Sequence, residues 1–195
     1  IVVIVVEQWR GDLTGYAGNP VVKTPCVDSL TESGMAFSNA FTTNPICTPS
    51  RCALMTGLHT HTSGHRTQRH LVGRNEPNLF ASLKGGGYTT AMLGKNDVLH
   101  PDVFKESLDL AGRDRGSDRQ PTSPRRSNPY EPDDPRFYTF LWGAEQAPAN
   151  EHPDAVTNSR ALAFIDGTPS DTPFCAWINY GLAHPPYRVQ EPWWS

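Results

Sequence analysis

The sequence has 195 residues, and its 17 basic and 20 acidic residues give a formal net charge of −3. This length supports a hydrophobic core without disulfides or a structural metal, and the balanced charge excludes bulk attraction to nucleic acid or anionic membranes. The longest strongly apolar run has six residues, too few to span a bilayer, and it shows no signal-peptide pattern. We expect a single domain over 1–195 with no nucleic-acid partner and no membrane span.

The first forty residues predict a β-α-β unit. Residues 1–6 are almost all β-branched and do not alternate, a pattern typical of a strand buried on both faces of a parallel sheet. A helix follows from the cap Thr24 to Gly34, with Pro25 in its first turn. Residues 35–41 alternate like a half-buried strand.

A second helix is predicted over 48–57, with Thr48 as its cap and Gly57 as its end, so that Cys47 lies just before a helix N-terminus. Residues 111–136 are rich in Pro, Arg, Asp and Ser and predict a surface excursion. The other predicted elements are a helix over 76–87, a strand over 88–93, a short strand over 137–142, a helix over 153–166 and a buried strand over 173–180.

The alternation of strands and helices predicts an α/β fold with a mostly parallel sheet and helices on both faces. In such sheets, ligands bind beyond the carboxyl ends of the strands. Conspicuous polar residues follow three predicted strands, namely Glu7 with Gln8, then Lys95, and finally His184. We therefore expect these side chains to converge on one pocket.

Cys47 is the cysteine whose position favours a function. A helix N-terminus lowers the pKa of a thiol and attracts anions, and Arg51 lies one turn later on the same face. The alternative is an inert, buried cysteine. The four cysteines have irregular spacing without a CxxC pair, which favours reduced thiols, and Cys175 is expected in the core.

The segment over 59–70 contains four histidines, His59, His61, His65 and His70. A separate transition-metal site is one interpretation of this segment. Its spacings fit no single element, because Ser63 and Gly64 interrupt it, so a polar loop is favoured.

A longer motif connects these observations. The pattern C-x-P-S-R-x-x-L-x-T-G occupies Cys47 to Gly57, and T-P-x-x-D-x-L-x-x-x-G-x-x-F occupies Thr24 to Phe37. Gly-Lys at 94–95 and His-Pro-Pro at 184–186 complete the set. With these motifs the chain resembles the sulfatase family of the alkaline phosphatase superfamily. The resemblance implies the N-terminal part of an alkaline-phosphatase-like catalytic domain, incomplete at its C-terminus and part of a longer protein.

The resemblance also implies roles for individual residues. In sulfatases the motif cysteine, here Cys47, is converted by formylglycine-generating machinery to formylglycine, whose hydrate supplies the nucleophilic oxygen. The arginine, here Arg51, orients and stabilises that hydrate. Lys95 and His184 would bind the substrate sulfate, and His184 would also give a proton to the leaving oxygen.

A divalent cation is implied as well, usually Ca²⁺, with Mg²⁺ or Mn²⁺ as substitutes. Its ligands would include Glu7, Gln8 and the modified Cys47. Glu7 stands where the family usually has Asp, and Asp97 stands where many relatives have His. Further metal ligands and a second substrate-binding lysine normally lie downstream, so residues 1–195 alone are not expected to form a competent enzyme.

The predicted function is hydrolysis of a small aryl, sugar or alkyl sulfate ester, as in arylsulfatases. A phosphonate or phosphate monoester hydrolase on the same scaffold remains open because of Gln8 and the adjacent Trp9-Arg10. A catalytically silent binder of sulfated ligands also remains open because of Glu7 and Asp97. A cysteine phosphatase is disfavoured, because three residues between thiol and arginine are too few for a phosphate-cradling loop.

Overall fold

The structure is a computed structural model that describes residues 1–113, 128–146, 148–191 and 193. Its strands are β1 (Val2–Val6), β2 (Thr89–Lys95), β3 (Leu110–Arg113), β4 (Leu141–Ala144), β5 (Phe174–Tyr180) and β6 (Tyr187–Val189). Its α-helices are α1 (Pro25–Ser33), α2 (Cys47–Thr56), α3 (Thr60–Ser63), α4 (Leu79–Gly85), α5 (Pro101–Ser107) and α6 (Pro153–Gly167). Short 3₁₀ helices cover Pro135–Tyr138 and Ala149–Glu151.

The main sheet has four parallel strands in the order β1-β5-β2-β3. Val2 pairs with Ala176 and Thr89 pairs with Phe174, so the last of these strands in the chain lies between the first two. Parallel strands place all their carboxyl ends at one edge, which we call the carboxyl edge. The predicted α/β fold with a mostly parallel sheet is confirmed.

Helices cover both faces of this sheet. Met92 and Trp177 point to one face, where they form a core with residues of α2, α4 and α5. Leu93 and Ile178 point to the opposite face and pack against Ala161 of α6. The period of two in β2 and β5 therefore serves two cores at once, which explains why residues 91–93 of β2 and 175–178 of β5 are apolar on both faces.

The prediction that β1 is buried on both faces is wrong. Val3 and Val5 pack against the larger core, whereas Val2 and Ile4 on the other face are exposed. β1 is an edge strand that pairs with β5, and α6 packs against β5 and β2. The β-branched run predicted the strand correctly, but the order of the sheet determined how much of it was buried.

Residues 8–42 form a compact unit of their own, and residues 1–7 together with 43–195 form the other. In the smaller unit, α1 begins after Thr24 and ends before Gly34, as predicted. The predicted strand over 35–41 is wrong, because these residues are exposed and form no strand. Alternation of apolar residues does not by itself supply a partner strand. The single domain over 1–195 stays a prediction.

The surface excursion predicted over 111–136 is wrong at its start, because β3 extends to Arg113 and pairs with β2. Residues 114–127 of the excursion lie outside the described residues. The strand predicted over 137–142 is shifted, because Pro135–Tyr138 is a 3₁₀ helix and β4 begins at Leu141. β4 pairs with β6 in a separate two-stranded sheet. In the described part of the chain, no helix has the length and apolar character needed to cross a membrane.

Candidate active site at the carboxyl edge

Glu7 is the centre of a charged cluster at the carboxyl edge. It follows β1 directly and is 4% exposed, and its backbone N–H donates to Tyr180 O at 2.9 Å. Its Oε2 atom accepts from Arg51 Nη2 at 3.0 Å and from Lys95 Nζ at 3.2 Å. Burial raises the pKa of this carboxyl, but the thiol of Cys47 and the charges of Arg51 and Lys95 hold the pKa below its ordinary value.

Helix α2 brings Cys47 and Arg51 to this carboxylate. The helix begins at Cys47 itself, with Ile46 as its extended cap, so the cap predicted at Thr48 is two residues late. Gly57 ends the helix at φ 71°, as predicted. One helical turn separates Cys47 from Arg51, which explains how both side chains reach Glu7.

The thiol of Cys47 donates a hydrogen bond to Glu7 Oε1 at 2.6 Å. Burial and the neighbouring Glu7 carboxylate raise the pKa of Cys47, so the expectation that the helix N-terminus lowers it is wrong. Burial of the thiol and the full negative charge within hydrogen-bonding distance together outweigh the helix dipole. Cys47 is therefore a protonated thiol at neutral pH rather than a thiolate nucleophile.

Asn179 is a site residue that the sequence analysis missed. It lies near the end of β5, where its Oδ1 atom accepts from Arg51 Nη1 and, at 2.9 Å, from Trp177 Nε1. Its Nδ2 atom donates to Lys95 O at 2.9 Å. The available signal was one amide in an otherwise apolar strand, since buried polar groups are retained with partners. Asn179 thereby links β5 to both cationic residues of the cluster.

Lys95 ends β2 and contacts two carboxylates, Glu7 and the fully buried Asp97, the latter at 2.6 Å. Burial lowers the pKa of Lys95, but Asp97 and Glu7 outweigh that effect and raise it. The preceding Gly94 has φ 86°, and a Cβ there would lie 2.2 Å from Asn179 O. A glycine is therefore required before the lysine so that β2 can approach β5 closely.

The cluster also offers ligands for a cation. One atom each from Glu7, Cys47 and Asp97 lies within 4.8 Å of the others. Two carboxylates are hard oxygen donors, which fit Ca²⁺ or Mg²⁺, and conversion of the thiol to an oxygen group would make the third donor hard as well. Gln8 has φ 53° and belongs to the separate unit over 8–42, so its role as a ligand stays a prediction.

His184 also follows a strand of the main sheet, but its described contacts are different. It is exposed, its Nδ1 atom lies 2.5 Å from Pro185 O, and its backbone N–H donates to Gly181 O at 3.0 Å. It lines a cavity of about 360 Å³ together with Trp142, Asp154 and Arg188. The structure thus joins Glu7, Cys47, Arg51 and Lys95 directly, whereas the convergence of His184 with them stays a prediction.

The histidine segment is structured rather than a simple loop, because α3 occupies part of it. His65 is buried, with its Nε2 atom 2.7 Å from Glu76 Oε1 and its Nδ1 atom 2.8 Å from His70 O. His59 and His61 stack at 5.5 Å. Both ring nitrogens of His65 are therefore engaged by the protein itself.

Comparisons with known proteins identify the family of the chain. The sulfatase family model matches residues 1–193. An ulvan-active sulfatase of Formosa agariphila is 41% identical over 95 residues, which are 49% of this chain and 19% of that protein. An arylsulfatase of Clostridium perfringens is 37% identical over 99 residues, which are 50% of this chain and 21% of that protein. The chain thus aligns with about a fifth of the length of these relatives.

Solved structures show the same fold at low sequence identity. A protein in complex with its substrate D-glucosamine-2-N,6-O-disulfate matches 92% of this chain and 33% of its own, with a TM-score of 0.68 and 18% identity. The phosphonate monoester hydrolase of Agrobacterium radiobacter matches 98% of this chain and 42% of its own, with a TM-score of 0.69 and 23% identity. Fold, cluster geometry and the family match together lead to one conclusion: the chain belongs to the sulfatase family.

Proposed function

We propose that the full protein hydrolyses a small sulfate ester through a formylglycine made from Cys47. The observation that carries the proposal is the shared partner of position 47: its side chain hydrogen bonds to buried Glu7, whose carboxylate also binds Arg51 and Lys95. A protonated thiol is a poor nucleophile, so the same geometry is better suited to an oxygen nucleophile at this position.

The residues present suit three tasks of sulfate transfer. The hydrate of formylglycine supplies one hydroxyl to attack sulfur and a second hydroxyl to release sulfate afterwards. Glu7, which accepts the thiol hydrogen bond in this structure, would accept the proton of the attacking hydroxyl. Arg51 and Lys95 would stabilise anionic oxygens, and His184 would give a proton to the leaving oxygen.

A divalent cation fits the same cluster. Glu7 and Asp97 would hold it with the modified side chain at position 47. The family resemblance implies Gln8 as a further ligand. Such an ion, Ca²⁺ or else Mg²⁺ or Mn²⁺, supplies positive charge that lowers the repulsion between the nucleophile and the sulfate. The proposed partners are a small sulfated substrate and formylglycine-generating machinery.

A phosphonate or phosphate monoester hydrolase is the second candidate, because a phosphonate monoester hydrolase shares this fold. A silent binder of sulfated ligands is the third. Relative rates on phenyl sulfate and phenyl phosphate separate the first two candidates, and sulfate binding without any turnover would identify the third.

The decisive experiment is the mass of the tryptic peptide over 24–51 from full-length protein made in its native host. This peptide contains both Cys47 and Cys26, an exposed thiol that serves as an internal control. We expect a loss of about 18 Da at Cys47, the difference between CH₂SH and CHO, and no loss at Cys26. Unmodified Cys47 at full occupancy in an active preparation would refute the formylglycine mechanism.

A further inference from the structure

Two helices of the chain begin with the same tripeptide, His-Pro-Asp, at 100–102 and 152–154. In each case the histidine caps the helix, because its Nδ1 atom accepts from the aspartate N–H, at 3.4 Å for Asp102 and 3.1 Å for Asp154. The local structure of the two starts is therefore the same.

The two aspartate side chains have different environments. Asp102 is at the surface, with its side chain 59% exposed. Asp154 is 8% exposed, and its carboxylate accepts from two backbone donors, Gly181 N at 2.9 Å and Leu182 N at 2.7 Å. Hydrogen bonds from backbone N–H groups to a carboxylate are stronger than those between neutral groups, so Asp154 clamps this segment of backbone.

The clamped backbone carries His184. Gly181 and Leu182 follow the end of β5 directly, and Gly181 O in turn accepts the backbone N–H of His184 at 3.0 Å. Asp154 and His184 line the same cavity of about 360 Å³, whose other walls include Trp142 and Arg188. One buried carboxylate thus sets the turn from which an otherwise exposed histidine projects.

The geometry points to Asp154 as a positioning residue for His184. The inference rests on the proposed function, in which protonated His184 gives its proton to the ester oxygen as the S–O bond breaks, leaving a neutral alcohol and a neutral imidazole. Proton transfer requires the donor to lie within hydrogen-bonding reach of the leaving oxygen. By holding the turn over 181–184, Asp154 keeps the imidazole at that distance.

The test uses full-length protein and a series of aryl sulfates from para-nitrophenyl sulfate, whose phenol is acidic, to phenyl sulfate, whose phenol is not. A general acid matters most for the less acidic leaving group. We expect His184→Ala to lower kcat about 10²-fold on phenyl sulfate and less than about tenfold on para-nitrophenyl sulfate. We expect Asp154→Asn to follow the same trend. Its kcat should fall about tenfold on phenyl sulfate and less than about twofold on para-nitrophenyl sulfate.

Asp102→Asn is the matched control, because it makes the same change at the same helix position with an exposed side chain. We expect it to leave both rates unaltered. If Asp154→Asn is not recovered folded, Asp154→Glu, which keeps the charge but displaces the carboxylate, is measured instead and must show the same trend. If the Asp154 variant loses the same factor in kcat on all substrates, or loses none, the inference is overturned and the proposed function is not. A flat series for His184→Ala would overturn the proton-donor role and the inference with it.

Discussion

Lysines lie near both ends of strand β2, Lys95 at its carboxyl end and Lys84 in the preceding helix α4. Each lysine is paired with carboxylate, but the carboxylates differ in solvation. At the carboxyl edge, Lys95 contacts Asp97 and Glu7, whose side chains are 0% and 4% exposed. At the amino end, Lys84 contacts Asp109 at 2.7 Å, and the aspartate side chain is 38% exposed. The residue types, the distances and the exposure of the two lysines are closely similar. The two ends therefore differ in the burial of their carboxylates.

This difference shows what burial of charge requires. An exposed ion pair contributes about 0–1 kcal/mol and needs no further support. A buried pair is costly to desolvate and persists only with a complete set of partners, which Arg51, Asn179 and the thiol of Cys47 supply here. Such a cluster is poorly explained by stability alone, and this is why we propose the carboxyl edge as the functional end of the sheet.

The largest expected effect is on activity, and it separates two cysteines of the same helix. Cys47→Ala in the full-length protein should lower kcat by at least about 10³-fold, because the nucleophile is lost. Cys52, whose thiol is fully buried and whose pKa burial raises to about 12, is the control. Cys52→Ala should cost about 1 kcal/mol of stability and keep the activity. Comparable kcat losses in both variants would contradict the assignment.

The next effect compares the carboxylates that lie near the two ends of β2, Glu7 and Asp109. Glu7→Gln leaves the buried charge of Arg51 without its carboxylate and should lower the free energy of unfolding by about 3–5 kcal/mol. Asp109→Asn at the amino end should cost less than about 1 kcal/mol. Chemical denaturation of both variants measures the difference. Equal destabilisation would show that burial does not distinguish the two ends.

Two glycines give a backbone version of the same comparison. Gly94 near the carboxyl end and Gly87 before the amino end have φ of 86° and 85°. Gly87→Ala has open space for its Cβ and should cost about 1 kcal/mol, the penalty for a left-handed alanine. Gly94→Ala must also displace Asn179 O and should cost about 3 kcal/mol in all. Thermal unfolding distinguishes the two values, and similar shifts in Tm would refute the close approach of β2 to β5.

The smallest effect depends on pH and concerns Asp109. Hydrogen bonds from Lys84 and from Thr90 N hold its pKa below the ordinary value. A carboxyl with a depressed folded pKa contributes stability above its unfolded pKa of about 4, and this contribution disappears as pH falls through the folded pKa. The stability difference between the parent protein and Asp109→Asn should therefore shrink on acidification. A difference that stays constant from neutral to acidic pH would contradict this account.

Local patterns predicted much of the fold correctly. Gly57 ended α2 and the run over 173–180 formed β5, because caps and apolar runs act through near neighbours in the chain. Residues 35–41 and the burial of β1 were predicted wrongly, because a strand's partner and its position in the sheet are not encoded in its own periodicity.

By itself the sequence determined the family, the residue types of the site and the strand ends that carry Glu7 and Lys95. Only the tertiary structure decided that the Cys47 thiol donates to Glu7 and that burial and this carboxylate raise its pKa. It also revealed Asn179 and Asp154 as partners of the site and of the His184 turn. The reason is distance along the chain: Arg51 and Asn179 are 128 residues apart, and the sheet order β1-β5-β2-β3 brings them together.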